Sequence, residues 1–197
     1  MCGRYLLLAL DPEAFARKYG LEGMSEPALA PRYNIAPTQQ VAVVRGDGGR
    51  RLAMLRWGLV APWTKAPLIN ARSETVFEKS AFRAAILRRR CLVPSSAFYE
   101  WKGVGKAKQP YLFQLRDGGL TAFAGIWDGE AVAVLTTAAN DLVKSLHERM
   151  PVILPPDAYL LAGAGGLQDD RQAAAIRCLR RHGLRRVFNR WSPVTSR

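Results

Sequence analysis

The chain has 197 residues, 49% of them apolar and 23% charged, which fits one globular domain, or at most two small ones, and excludes wholesale disorder. No run of 18 or more apolar residues exists, so no transmembrane helix is expected. Lys and Arg number 29 against 16 Asp and Glu, a net charge of +13 that favours a polyanionic partner, nucleic acid being the commonest.

In chain order, residues 4–9 read as a strand. Asp11 follows as an N-cap, with Pro12 in the first turn of a helix that runs to about Tyr19. Residues 40–45 and 52–56 flank Gly46-Asp47-Gly48-Gly49 and read as a hairpin. The Pro- and Trp-rich stretch from Trp57 to Pro67 reads as a fixed loop. Over Glu74–Arg90, the spacing of Val76, Phe77, Ala81, Phe82, Ala85 and Ile86 predicts an amphipathic helix. Strands are expected at 91–93, 97–101, 111–115, 121–126 and 131–136, then a short helix at 139–147 and a strand at 151–154. With strands in the majority and not alternating strictly with helices, the fold class is α+β. After Gly163-Ala164-Gly165-Gly166, which reads as a flexible joint, residues 171–197 hold eight arginines and no acid. Those arginines are equally compatible with a solvated helix face, a nucleic-acid contact or a tail. The amino-terminal residues have no basic region, apolar core and cleavage site of a signal peptide, so a cytoplasmic protein is expected.

Three cysteines without metal spacing and only two histidines point away from a disulfide framework, a zinc site or any metal. The chemistry should therefore be organic, and Cys2 is its sharpest candidate. If Met1 is removed, Cys2 becomes a 1,2-aminothiol. An α-amine, with a pKa of about 7.7–8.0 against about 10.4 for Lys, is roughly several hundred-fold richer in its nucleophilic form at neutral pH. It can condense with an aldehyde to an imine, on which the adjacent thiol can close as a five-membered thiazolidine. Asn70, in Asn70-Ala71-Arg72-Ser73-Glu74, could orient the Cys2 backbone, and Arg72 could hold an anion; loop stabilisation or helix capping serves as well for either. Glu100, among the aromatics of Phe98-Tyr99-Glu100-Trp101, either shuttles protons from an apolar setting or faces solvent. His147, at the end of a helix beside Arg149, is placed to donate a proton near a phosphate, or is structural. Trp57 and Trp63 either stack on bases or pack in the core.

Eight motifs in fixed order then carry a resemblance. Met1-Cys2-Gly3-Arg4, Tyr33-Asn34-Ile35-Ala36-Pro37-Thr38-Gln39, Arg56-Trp57-Gly58-Leu59-Val60 and Asn70-Ala71-Arg72-Ser73-Glu74-Thr75 come first. Arg90-Cys91-Leu92-Val93-Pro94, Phe98-Tyr99-Glu100-Trp101, Phe123-Ala124-Gly125-Ile126-Trp127 and His147-Glu148-Arg149-Met150-Pro151 follow. Together they resemble the SRAP (SOS response-associated peptidase) family, the abasic-site processing proteins. The resemblance implies one domain over residues 2–197, an α+β fold whose mixed and antiparallel sheets form a β-barrel-like core with peripheral helices, and a groove for single-stranded DNA. It implies that Cys2 traps the ring-opened aldehyde of an abasic site as a thiazolidine, shielding the lesion during the DNA damage response. It further implies self-removal of Met1, abasic-site lyase activity through the imine, no cofactor, and a monomer that joins the nucleoid when DNA-bound. By the same resemblance, Asn70 positions Cys2, Glu100 moves protons and His147 donates to the sugar oxygen as the furanose opens. Arg72 and Arg149 grip the phosphates flanking the lesion, with Arg4 as a helper, while Asn34, Pro37, Trp57 and Trp63 line or wedge the strand path. The 163–186 stretch matches none of the family's motifs.

Two other classes fit parts of the pattern. An N-terminal-cysteine amidotransferase also begins Met-Cys-Gly, but it calls for glutamine-binding motifs that are absent here. A non-covalent single-strand binder explains the charge and the tryptophans, and leaves Cys2 and Glu100 without a role.

Overall fold

The computed structural model describes residues 2–9, 11–21, 30–46, 49–104, 107–159 and 191–192. Met1, the turn residues Asp47 and Gly48, and the Gly- and Arg-rich stretch from 163 onward, save Trp191 and Ser192, lie outside the described residues.

Strand β1 (Tyr5–Leu7) leads into helix α1 (Pro12–Tyr19), whose N-cap is Asp11, its carboxylate accepting from the Ala14 N–H at 2.9 Å. Both follow the sequence reading. Strand β2 (Arg32–Ile35) was not expected, and the reason is its edge position: it pairs only with β1 and shows solvent a mixed face with no alternation to read. Strands β3 (Gln40–Arg45) and β4 (Arg51–Trp57) form the expected hairpin.

From Trp57 to Pro67 the structure corrects the reading. The segment is not a loop but an antiparallel pair, β5 (Leu59–Ala61) with β6 (Thr64–Leu68). A two-stranded sheet has only edges, and an edge tolerates the missing N–H of Pro67. Gly58 makes the corner, at φ 130°, where a Cβ would sit 2.6 Å from the Pro67 side chain. The hairpin leaves Val60 and Trp63 in solvent.

Strand β7 (Asn70–Arg72) precedes a run of turns, and helix α2 covers only Ser80–Arg88 rather than the whole expected span from Glu74. The apolar spacing does continue through Val76 and Phe77, but residues 73–78 form turns, with the Thr75 N–H on the Arg72 carbonyl at 3.1 Å and the Glu78 N–H on the Thr75 carbonyl at 3.0 Å. Strands β8 (Arg90–Ser95), β9 (Ala97–Val104), β10 (Ala107–Gln114), β11 (Thr121–Asp128) and β12 (Ala131–Ala138) match the expected strands, each slightly longer. The expected helix at 139–147 shortens to α3 (Asp141–Lys144), and β13 (Arg149–Pro151) and β14 (Ile153–Leu154) follow. A last strand, β15 (Trp191–Ser192), pairs with β10.

The strands β12–β4–β3–β8–β11 pair in that order, and β11 pairs back with β12, so five strands close a ring. Closure buries the inward-facing half of β8 and β11, and α2, β1 and the rings of Tyr5 and Phe98 cover the outward half, so all six residues of β8 and the first six of β11 are buried. A second sheet, ordered β15–β10–β9–β1–β2, lies beside the ring; from it the rings of Tyr5 and Phe98 pack against Trp57 and Phe123 of the barrel, with Phe113 stacked on Phe98. The α+β class and the barrel-like core are as expected. No helix among the described residues is long and apolar enough to cross a membrane.

Candidate active site

Cys2 lies just ahead of β1, in the cleft between the two sheets. It is fully buried. What fixes it is β7: the Asn70 side-chain amide donates from Nδ2 to the Cys2 carbonyl at 3.0 Å. Asn70 is itself set by the parallel pairing of β7 with β12, where it stands opposite Val134. On the other wall, β1 pairs with β9 through Tyr5 and Phe98, and the Tyr99 N–H bonds the Arg4 carbonyl at 2.9 Å. Alternation along β9 then turns Phe98 and Glu100 inward and Tyr99 and Trp101 toward the rim. Glu100 is 3% exposed, so of its two sequence readings the inward one holds.

Electrostatics tie these groups together. Burial pushes the Cys2 thiol well up, and the Glu100 carboxylate pushes it further, while the Arg4 backbone N–H acts in the opposite direction. Burial likewise raises the Glu100 carboxyl above the ordinary carboxylate range, with the charge of His147 among the influences that lower it. The thiol is thus held protonated beside a carboxyl that can exchange its proton. His147 follows α3 and precedes β13. Its Nδ1 accepts the Arg149 N–H at 2.9 Å, which makes Nε2 the proton-bearing nitrogen of the neutral ring.

Arg149 is more engaged than the sequence suggested. Its Nη1 and Nη2 donate to the two carboxylate oxygens of Glu74 at 2.7 and 2.8 Å, and Nη2 also reaches the Thr136 carbonyl at 2.8 Å. That pairing draws the Glu74 carboxyl below its usual range. The Arg72 side chain, exposed on β7, makes no hydrogen bond or ion pair among the described residues, while its carbonyl accepts the Thr75 N–H at 3.1 Å. Arg4 donates to the Asn34 side-chain oxygen at 2.8 Å, which places both at the β1–β2 edge near Pro37.

The two tryptophans separate. Trp57 is 1% exposed, bonds the Ile69 carbonyl through Nε1 at 2.9 Å and packs edge-on to Tyr5. Its ring therefore has no face to offer a base, and the strand-path role falls away. Trp63 is 64% exposed at the hairpin tip, and Tyr33 is 64% exposed on β2. Sequence reasoning singled out neither Tyr33 nor Glu74 by role, although both stand inside the quoted motifs. The signal available for Glu74 was its spacing from Asn70 in a five-residue polar run; its partner Arg149 is 75 residues away and not visible from spacing.

The described site thus gathers the chain's second residue, an amide, a carboxyl and an imidazole between a closed barrel and a second sheet, with an exposed arginine on β7 and an exposed tryptophan at the β5–β6 hairpin tip. This chain belongs to the SOS response associated peptidase (SRAP) family, whose sequence model matches residues 1–174. It is 36% identical over 173 residues to the abasic site processing protein YoaM of Bacillus subtilis, covering 80% of this chain and 76% of that one. To the abasic site processing protein YedK of Escherichia coli it is 32% identical over 176 residues, 80% of this chain and 77% of that one. Among solved structures, a phage-related protein from Bordetella bronchiseptica superposes with a TM-score of 0.78 at 29% identity, covering 99% of this chain and 95% of that one.

Proposed function

We propose that this protein processes abasic sites in single-stranded DNA by forming a covalent thiazolidine between Cys2 and the ring-opened lesion. Hydrolysis of the Met1–Cys2 bond consumes one water and frees the Cys2 amine. That amine adds to C1′ of the aldehyde, the carbinolamine loses water, and an imine results. The thiol sulfur then bonds the imine carbon while its proton passes to the nitrogen, so the closed ring retains every atom of the imine.

The observation that carries this reading is the grip of Asn70 on the Cys2 carbonyl at 3.0 Å, with Glu100 near enough to raise the Cys2 thiol. A buried thiol is a poor nucleophile until a base takes its proton. Glu100, its own carboxyl raised by burial, can take that proton and return one to the nitrogen or the departing water. His147, with Nε2 as donor, serves the ring oxygen as the furanose opens. Because the imine precedes ring closure, β-elimination of the 3′ phosphate competes with thiol addition, which gives lyase activity as a side path. Arg72, Arg149 and Arg4 engage backbone phosphates, and Asn34, Pro37 and the exposed Trp63 border the strand. The protein acts as a monomer, in the cytoplasm and on the nucleoid.

Incubation with single-stranded DNA bearing one abasic site, followed by denaturing electrophoresis, tests the reading. A retarded band that survives denaturation and is absent for Cys2→Ala supports it. Binding without such a band would favour a non-covalent binder, and glutaminase turnover would favour the amidotransferase class.

A further inference from the structure

The ion pair between Glu74 and Arg149 lies where the proposed function brings DNA. Thr136 of β12 stands opposite Arg72 of β7 on one side and opposite Pro151 of β13 on the other. Arg149, two residues before Pro151, therefore shares a face with Thr136, Arg72 and Asn70, as its bonds to the Thr136 carbonyl and, at 3.3 Å, Oγ1 also show. With strands about 4.8 Å apart, β7 and β13 are about 10 Å apart across β12. Two cations thus flank the Cys2 cleft, and the anion held by one of them is a carboxylate from the chain itself.

That carboxylate has the geometry of a substitute. It is bidentate on the guanidinium, the arrangement an Arg makes equally with phosphate. Its side chain is 48% exposed while that of Arg149 is 16% exposed, so solvent reaches the pair from the Glu74 side. Glu74 sits in a run of turns rather than in a strand or helix; besides Arg149, the backbone N–H groups of Glu74 and Ala138 bond its carboxylate, so a rotamer change that frees Arg149 also hands these two donors to solvent. In a chain of 29 basic and 16 acidic residues, a carboxylate at this point opposes a polyanion on the face that otherwise attracts it.

We infer that Glu74 is an internal stand-in for a DNA phosphate, occupying Arg149 in the free protein and exchanging with the phosphate beside the lesion when a strand enters. The inference rests on the reading that the strand crosses this face. Its effect is selective. Undamaged DNA must displace Glu74 with no covalent bond to follow, whereas a strand bearing the aldehyde is retained by Cys2 after the exchange. Affinity for intact DNA is held down, and the covalent step decides residence.

The test is fluorescence anisotropy with a labelled oligothymidylate that lacks abasic sites, so that Cys2 chemistry plays no part. Glu74→Gln should bind about two- to fivefold tighter than wild type, the range expected from freeing one partly exposed charge. The slope of log affinity against log salt should steepen by about 0.7, one additional phosphate on a single strand. Glu74→Asp, which keeps the charge, should bind no tighter than wild type, and Arg149→Gln should cancel the gain when combined with Glu74→Gln. Equal or weaker binding by a folded Glu74→Gln, or a gain that survives Arg149→Gln, overturns the inference. A measurement without any variant stands beside this one: the 13C resonance of the Glu74 carboxylate in the wild-type protein should move toward its unpaired position on adding the oligonucleotide, and an unchanged resonance overturns the exchange. Loss of the abasic adduct in the denaturing gel would fell the cross-linking reading and leave this result unaffected.

Discussion

Cys2 and Cys91 are both fully buried, and burial raises both thiols. By the usual criterion of a reactive cysteine, exposure with a depressed pKa, neither qualifies. Their surroundings differ in kind. Cys91 is in the barrel wall on β8, opposite Gly125 of β11, with Arg45 as its charged neighbour. Cys2 is in a cleft between two sheets, with its carbonyl held by Asn70 and with Glu100 as its charged neighbour. A cation beside Cys91 makes an ionised thiol less unfavourable but offers nothing to receive its proton. A carboxyl beside Cys2 can receive one. Under the proposed function, reactivity is conferred at the moment a base acts and is not stored as a thiolate, and removal of Met1 would add on the adjacent carbon an amine that no internal cysteine has.

The largest expected difference between the two is chemical. Cys2→Ala should abolish the denaturation-resistant adduct, although it retains an amine able to form a transient imine. Cys91→Ala should leave the adduct intact and cost about 1 kcal/mol of stability from lost packing, read by thermal unfolding. Equal adduct yields from both variants would erase the contrast.

Glu100→Gln should come next, slowing adduct formation by about 100-fold with DNA affinity nearly unchanged. The same variant has a stability signature whose sign follows from the raised carboxyl. A folded-state pKa above the unfolded one contributes stability that is complete below the unfolded value and is lost as pH rises through the folded value. Above the unfolded-state value the buried Glu100 is therefore a burden, and at neutral pH Glu100→Gln should melt at a higher temperature than wild type. The gap should close below about pH 3, where the carboxyl is neutral in both states. A gap independent of pH would remove the proposed proton traffic from Glu100.

The Cys91 region sharpens the contrast from the packing side. A Cβ on Gly125 would lie 2.9 Å from the Cys91 sulfur and 3.0 Å from the Val93 side chain, so Gly125→Ala should cost about 1–3 kcal/mol in chemical denaturation. Adduct chemistry at permissive temperature should be unaffected. The smallest effect belongs to Thr38, a β-branched residue at φ 71° in the turn after Pro37. Thr38→Gly relieves that strain at the cost of chain entropy and should stabilise by about 0.5 kcal/mol, read as a slightly higher melting temperature.

How far the sequence disclosed this arrangement depends on how local each signal was. The Asp11 cap, the β3–β4 hairpin and the strands from β8 to β12 are written in runs of apolar residues and turn chemistry, and they were legible. The β5–β6 hairpin was not, because Pro67 and the exposed Val60 and Trp63 break the alternation that marks a strand. The onset of α2 was misplaced because the chain closes tight turns, with the Thr75 N–H on the Arg72 carbonyl and the Glu78 N–H on the Thr75 carbonyl, before the helix begins at Ser80, and apolar spacing does not record them. Of the candidate site, the residues Cys2, Asn70, Glu100 and His147 came from ordered motifs. Their convergence depends on β1 inserting beside β9 while β7 lines β12, pairings that no spacing encodes. The same is true of Trp57, whose burial follows from barrel closure and not from its neighbours in sequence.

One measurement bears most directly on the central claim. After incubation with abasic single-stranded DNA and exhaustive nuclease digestion, mass spectrometry of the proteolysed conjugate should find the sugar-phosphate remnant on a peptide beginning with Cys2, without Met1 and with the mass of the thiazolidine. A remnant on a lysine, on Cys91 or on a peptide that still carries Met1 would contradict it.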